Sequence, residues 1–366
     1  MKNRERVINC ILGREIDRVP YIPYFGPWGE TVATWRAEGV ENPESAWALP
    51  QFGLDGGFAD ISGYFNLLYN PAFAFEVLED KGERYIYRDG LGIVSEGIKG
   101  KSGIPRIITN PVTGWDDWVR LRAERLCVAP GGRVNGNFEK AVDELKKCDC
   151  VIQIGAFPYG FFGSLRDMIG LESLCVMFYE QPDLIHNIMD TLCDLWISVY
   201  KTAAEKIQID AIHIWEDMSG KSGSLISPAM IKEFMLPRYH RIKAFAYEHN
   251  IPIMVVDTDG ICDELIPLFE SAGVNLMLPF EIAAGNDIVD LRRRFPRMAM
   301  LGGIDKLEIA RGSAAIDREL DKIEPLLSET GYIPGLDHLI HPDITFADYS
   351  YYMTALRGRI MKHKHR

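Results

Sequence analysis

The chain has 366 residues, 47% of them hydrophobic and 25% charged, the balance of a globular protein with ample material for a core. Its formal net charge of −12 argues against nucleic acid or an anionic membrane as partner, and more weakly against a strongly polyanionic substrate. No apolar run is long enough to span a bilayer, and seven scattered cysteines do not suggest a disulfide framework.

In chain order, "MKNRERVINCILGREIDRVP" reads as an amphipathic helix, without the apolar core and cleavage site of a signal peptide, so a cytoplasmic location is the default. Short β-rich runs then alternate with helical patterns. The strands are expected at 19–25, 55–61, 150–157, 209–215, 251–257, 274–280, 297–304 and 331–336, most of them near-continuously apolar. The stretch from about 73 to 105 alternates as β-hairpins do and reads as an insertion between the second and third strands. Cys148 and Cys150 form a C-x-C pair at a helix-to-strand junction, where a structural role is favoured over a metal site. Ser227 before Pro228 reads as a helix N-cap, and Gly273 and Gly331 sit where helices end ahead of strands. Eight strands alternating with helices, with no linker or repeat, predict one (β/α)8 barrel domain over 1–366. A doubly wound sheet is the rival, weakened by the lack of a G-x-G-x-x-G turn.

In such barrels the chemistry gathers where the strands end. The early ends are aromatic: Trp28, Tyr64, Tyr159, Phe161, Phe162 and, on the fourth strand, Trp215. As a group they read as the wall of a pocket for a flat, apolar ligand, although each alone is as well explained as core. The later ends are acidic, with Glu216 and Asp217, Asp257 and Asp259, Glu281, Asp305 and Asp337, and hardly a basic residue among them. In "PIMVVDTDG" Asp257 and Asp259 lie two apart and so share a face, with Gly260 letting the chain turn. Carboxylates brought together repel unless a proton or cation intervenes. A divalent metal held by Asp257, Asp259 and His338 is one solution, with Glu216 within reach. Asp217 and Asp305 are as readily helix caps, His213 reads as a core or barrel-lining histidine, and His341 as a loop residue.

The order of these pieces resembles the uroporphyrinogen decarboxylase-like superfamily, over nearly the whole chain. It does so most closely in "IHIWEDMSGKSGSLISPAMIKEFMLPRYHRI", "DTDG", "LGGIDK" and "GYIPGLDHLIHPDIT". The resemblance implies a (β/α)8 barrel of uroporphyrinogen decarboxylase type. True decarboxylases of that group carry an arginine motif after the first strand. Here "YFGPWGET" has none, and Asp60 stands near the place of their catalytic aspartate. The corrinoid (cobalamin)-dependent methyltransferase branch is the nearer match. Its H-x-C-G zinc motif is replaced here by "DTDG", and its later cysteine by His338 in "GLDH".

From this likeness the expected activity is methyl transfer from a methoxylated, aromatic compound to cob(I)alamin on a separate carrier protein, that is, O-demethylation. Glu216 and Asp60 are the expected acid–base groups, and a divalent metal, zinc first, polarises the ether oxygen. Residues 220–224 and the insertion are candidate docking elements for the corrinoid protein, and a homodimer is in keeping with the family. Two alternatives stay open: a decarboxylase or lyase acting on a smaller acid through Asp60, and a non-catalytic binder of a tetrapyrrole or aromatic ligand.

Overall fold

The structure is a computed structural model describing residues 1–100 and 105–364. An N-terminal helix, Asn3–Ile11, is followed by an extended stretch, the short helix Gly29–Ala37 and strand β1 (Phe58–Asp60). Strands β2 (Glu76–Lys81), β3 (Arg84–Arg88), β4 (Val94–Ile98) and β5 (Arg106–Thr109) then pair antiparallel in a sheet of their own. Much of the region 73–105, where alternation predicts hairpins, lies in this sheet; its residues 101–104 are outside the described ones.

The remaining long strands are β6 (Val151–Ala156), β7 (Ala211–Trp215), β10 (Ile253–Thr258), β11 (Leu276–Pro279), β12 (Ala299–Ile304) and β13 (Tyr332–Leu336). Between β7 and β10 lies a two-stranded ribbon, β8 (Ser219–Gly220) with β9 (Gly223–Ser224). The large sheet runs β1-β6-β7-β10-β11-β12-β13, parallel throughout. Helices such as Phe161–Ile169, Pro182–Ala204, Leu236–Glu248, Ser313–Ile323 and Phe346–Lys362 follow its strands. Every residue of β11, β12 and β13 is buried, because helices cover the outside and side chains fill the inside. Ser227 caps its helix through the Met230 amide, and Gly273 adopts a left-handed φ of 92° at the turn before β11. No described helix is long and apolar enough to cross a membrane.

The curled sheet has seven strands rather than the eight expected. Residues 19–25 are extended and apolar but join no ladder. Pro20 and Pro23 have no N–H to give, and Pro334 on the facing edge strand has none either. The segment nevertheless lies along the seam between the two edges of the sheet. Tyr21 and Pro23 pack by Pro334, Gly335 and Leu336 on one side, and Pro23 and Tyr24 by Gly57 and Phe58 on the other. Asp55 ties it down: its carboxylate accepts from the Tyr21 amide at 2.9 Å, and its own amide donates to the Tyr21 carbonyl at 2.9 Å.

Cys148 and Cys150 are joined by a disulfide where the helix Phe138–Lys147 leads into β6, a pairing that the scattered cysteines did not suggest. The other five cysteines are free.

Candidate functional site

The C-terminal ends of the parallel strands carry unusual backbone. Ala156 (φ 65°), the last residue of β6, and Asp217 (φ 41°) and Phe280 (φ 61°), just past β7 and β11, are all left-handed without being glycine. Such conformations persist where surrounding structure enforces them, and they cluster at functional sites. Gly260, with φ 76°, does what its place after Asp259 predicts. A Cβ there would lie 2.4 Å from the Ser219 carbonyl carbon.

On β10 the buried Thr258 separates two half-buried carboxylates, so Asp257 and Asp259 do project to one side. Each takes an imidazole of its own. Asp257 Oδ2 lies 3.5 Å from His213 Nε2, and Asp259 Oδ2 lies 3.6 Å from His338 Nε2. Burial, followed by the charges of Glu281, Asp217 and Asp257, pushes the Asp259 carboxyl up to about 8, with Lys306 opposing. Burial and then Lys306 hold His338 below its ordinary range. At neutral pH the couple is therefore a protonated acid beside a neutral imidazole. The His338 ring stacks on Phe25 (centroids 5.6 Å apart) and Trp28 (5.9 Å), which joins the acid end of the site to its aromatic wall.

The expected metal set of Asp257, Asp259 and His338 is not assembled as a triad. Among the described residues no group of three or more His, Cys, Asp or Glu side chains is placed to hold a metal. The neighbouring acids are instead eased by a proton on Asp259 and by two basic residues missed in the sequence. Lys306 Nζ sits 3.4 Å from Glu281 Oε1 and 3.3 Å from Asp337 Oδ1. Arg166 Nη1 donates to Asp217 Oδ2 at 2.6 Å and lies over the Trp215 ring. The donors are of types a divalent ion accepts, but their placement does not gather three around one point, and no chemistry is routed through an ion.

Glu216 does not reach the mouth. It is fully buried, accepting from Tyr239 Oη at 2.6 Å and the Phe162 amide at 2.6 Å, at the start of helix Phe161–Ile169. Burial raises its carboxyl above the ordinary range. Its carboxylate orders a helix terminus. Phe161 and Phe162 are also core, packed on Trp196 and Tyr239 and on Phe178 respectively, and so do not wall a pocket. Asp305 caps its helix through the Leu307 amide.

Of the remaining positions, Asp60 lies beside the seam. Asp60 is exposed, and its Oδ1 accepts from the Ser62 amide and hydroxyl. It shares a cleft of about 440 Å³ with Tyr24, Trp47, Phe58 and Gln153. Tyr159 is half-buried, its hydroxyl raised by burial and then by Asp60. Trp215 packs edge-on against Phe157, with centroids 4.7 Å apart. Tyr64 is half-buried against Phe138, away from these contacts. Tyr24, not among the residues expected from the sequence, brings its hydroxyl to His213 Nδ1 at 2.9 Å. The polarity of His213 inside an apolar strand was the available signal.

Residues 97–358 match the family described as "Uroporphyrinogen decarboxylase (URO-D)". The uroporphyrinogen decarboxylase of Rhodococcus opacus is 25% identical over 183 residues, covering 47% of this chain and 48% of that protein. The protein of the same name from Hydrogenovibrio crunogenus is 28% identical over 177 residues, covering 46% of each. The chain thus spans about half the length of the curated relatives it matches. Among solved structures, a methyltransferase from Methanosarcina mazei superposes over 98% of this chain and 99% of its own, with a TM-score of 0.61 and 16% identity. That likeness is one of fold. With the family model matched over well more than half of its length, the chain belongs to the uroporphyrinogen decarboxylase (URO-D) family.

Proposed function

We propose that this chain is the methyl-donor-binding component of a corrinoid-dependent O-demethylase. In this reading it holds a methoxylated arene and releases the phenol as the methyl group passes to a corrinoid on a separate carrier protein. The observation that carries it is Asp259: a carboxyl held protonated at neutral pH, paired with a neutral His338 that is stacked on Phe25 and Trp28. A phenolate leaves an ether carbon poorly, and a positioned acid assists it by about 10²–10⁴-fold. Asp259 gives its proton to the ether oxygen as the carbon–oxygen bond breaks, and His338 faces the carboxylate that results. The aromatic wall orients the ring, and the corrinoid supplies only the acceptor for the methyl group. The fold shared with a methyltransferase is in keeping with this reading.

The mouth suits a neutral substrate better than a polycarboxylate. A porphyrinogen's carboxylates need free cationic donors, whereas Lys306 is shared between Glu281 and Asp337, and Arg166 is committed to Asp217. A second reading, a lyase acting on a smaller acid through Asp60, is favoured by the names of the curated relatives. The test is to incubate the purified chain with a reduced corrinoid carrier and a panel of methoxyarenes, following phenol release by chromatography. Phenol release that requires the corrinoid supports methyl transfer. Its absence across the panel rejects that reading, and carbon dioxide release from an arene carboxylate without any corrinoid establishes the lyase.

A further inference from the structure

At the N-terminal ends of the parallel strands, opposite the acidic mouth, a cleft of about 580 Å³ opens between the N-terminal helix and the Cys148–Cys150 disulfide. Five cations line it, Lys2, Arg4, Arg14, Lys146 and Lys147, against the acids Glu5, Asp149 and Asp210. Two of those acids are already engaged. Asp149 accepts from the Asn3 amide at 2.9 Å and the Arg4 amide at 3.0 Å. Asp210 accepts from Arg4 Nη2 at 2.8 Å and from the Ile152 amide at 2.9 Å. Among the described residues, Lys2, Arg14 and Lys146 have no acid partner. In a chain of net charge −12 the cleft is thus a local field of the opposite sign.

The disulfide joins cysteines only two positions apart. A cross-link constrains the unfolded chain more the longer the loop it closes, so this one stabilises the fold little. The junction is held without it. The Cys148 amide donates to the Glu144 carbonyl at 3.1 Å, and the Val151 amide donates to the Gly57 carbonyl at 2.9 Å. Asp149, between the two cysteines, binds the first two amides of the N-terminal helix. Exposure separates the two sulfurs: Cys150 is 5% exposed, whereas Cys148 is half-buried and lines the cleft. A bond of little structural use, presenting one sulfur to a basic cleft, is placed for exchange.

We infer that the Cys148–Cys150 disulfide is a thiol-exchange site whose cleft selects small carboxylated thiols. The ligand thiolate attacks Cys148 Sγ, forming a sulfur–sulfur bond to it. The bond to Cys150 breaks, and its electron pair leaves on Cys150 Sγ, which takes a proton from water. A second thiolate attacks the ligand sulfur of this mixed disulfide, releasing the ligand's own disulfide and the Cys148 thiolate. Two ligand thiols are oxidised as one protein disulfide is reduced, and the reverse sequence restores it. The ligand's carboxylates meet Lys2, Arg14 and Lys146, and the same cations favour the thiolate form of Cys148. A cleft of this volume suits a small molecule. None of this depends on the reaction proposed at the mouth.

The experiment exposes the full oxidised chain to mercaptosuccinate, a dicarboxylated thiol, and to neutral 2-mercaptoethanol. Reactions are quenched with iodoacetamide, Cys148 and Cys150 are mapped by mass spectrometry, and rates are compared per thiolate. At an ionic strength of about 0.01 M, mercaptosuccinate is expected to open the disulfide about tenfold or more faster. At about 1 M, where the screening length is roughly 3 Å, the two rates are expected to agree within about threefold. Arg14→Gln combined with Lys146→Gln, both at exposed positions, is expected to lower the low-salt preference several-fold. In Cys150→Ser, oxidised mercaptosuccinate is expected to leave a mixed disulfide on Cys148, and in Cys148→Ser none on Cys150. Free thiols at both positions in chain purified without reductant, or a disulfide that neither thiol opens, overturns the exchange site. Equal rates at low salt, a preference that survives the double variant, or a mixed disulfide formed on Cys150 overturns it as well.

Discussion

At the scale of single residues the proposed reaction turns on the proton of Asp259. Its carboxyl is pushed up to about 8 in the fold from an ordinary value of 3.8. Between those limits the folded chain holds a proton that the unfolded chain has released, so this group's contribution to stability falls as pH rises from about 4 to about 8 and is level beyond. Asp259→Asn removes that dependence. Relative to the native chain, the variant is expected to gain melting temperature progressively across this window and to keep the gain above it. The same variant, unable to give up an acidic proton, is expected to lose about 10²–10⁴-fold in phenol release, while the native activity declines above pH 8. Thermal scans from pH 4 to 9 beside pH–rate profiles measure both. A melting temperature difference that does not vary with pH would show that Asp259 is an ordinary carboxylate.

At the scale of elements the seam decides whether the sheet closes around the site. Asp55 accepts from Arg18 Nη1 at 2.7 Å, Arg18 Nη2 at 2.6 Å, Arg6 Nη1 at 3.3 Å and the Tyr21 amide, all poorly exposed. Asp55→Ala would leave two buried guanidinium groups short of charge and release the segment that stands where an eighth strand was expected. A loss of about 3–5 kcal/mol follows from breaking such a buried set, and denaturant titration reads it as a lower midpoint with an unchanged slope. A loss under about 1 kcal/mol would mean that the seam is held elsewhere. Seven strands were legible because parallel, doubly covered strands read as continuous apolar runs. The segment at 19–25 misled because its apolarity is genuine while its prolines deny it a ladder. The strand-end rule places Asp257, Asp259 and His338 at the C-terminal ends of the strands, as the structure has them, whereas Glu216 turns inward for a local reason. The amides of Glu216 and Asp217 both donate to the Asp257 carbonyl, and Asp217 turns left-handed, so the alternation that would aim Glu216 at the mouth is broken there. Lys306 was hidden one residue into a helix, where a lysine usually means solvent. His213 looked like core because its partner Tyr24 comes from a distant part of the chain.

At the scale of the whole molecule, a net charge of −12 and a mouth bearing Asp60, Asp217, Asp257 and Glu281 set up a field of one sign. The two basic groups found there are each engaged by acids, so an anionic ligand meets little that attracts it. This yields a comparison that does not depend on catalysis. 4-Methoxybenzoate and 4-methoxyphenol present similar rings, and only the first carries charge. Raising ionic strength from about 0.01 M to about 0.15 M shortens the screening length from roughly 30 Å to roughly 8 Å. The benzoate should therefore bind several-fold more tightly at the higher salt, with the phenol changing by less than about twofold. Calorimetric titration at the two salt concentrations checks this. Tighter benzoate binding at low salt would mean that an uncommitted cation governs the mouth, and a carboxylate substrate would then become the better reading of the site.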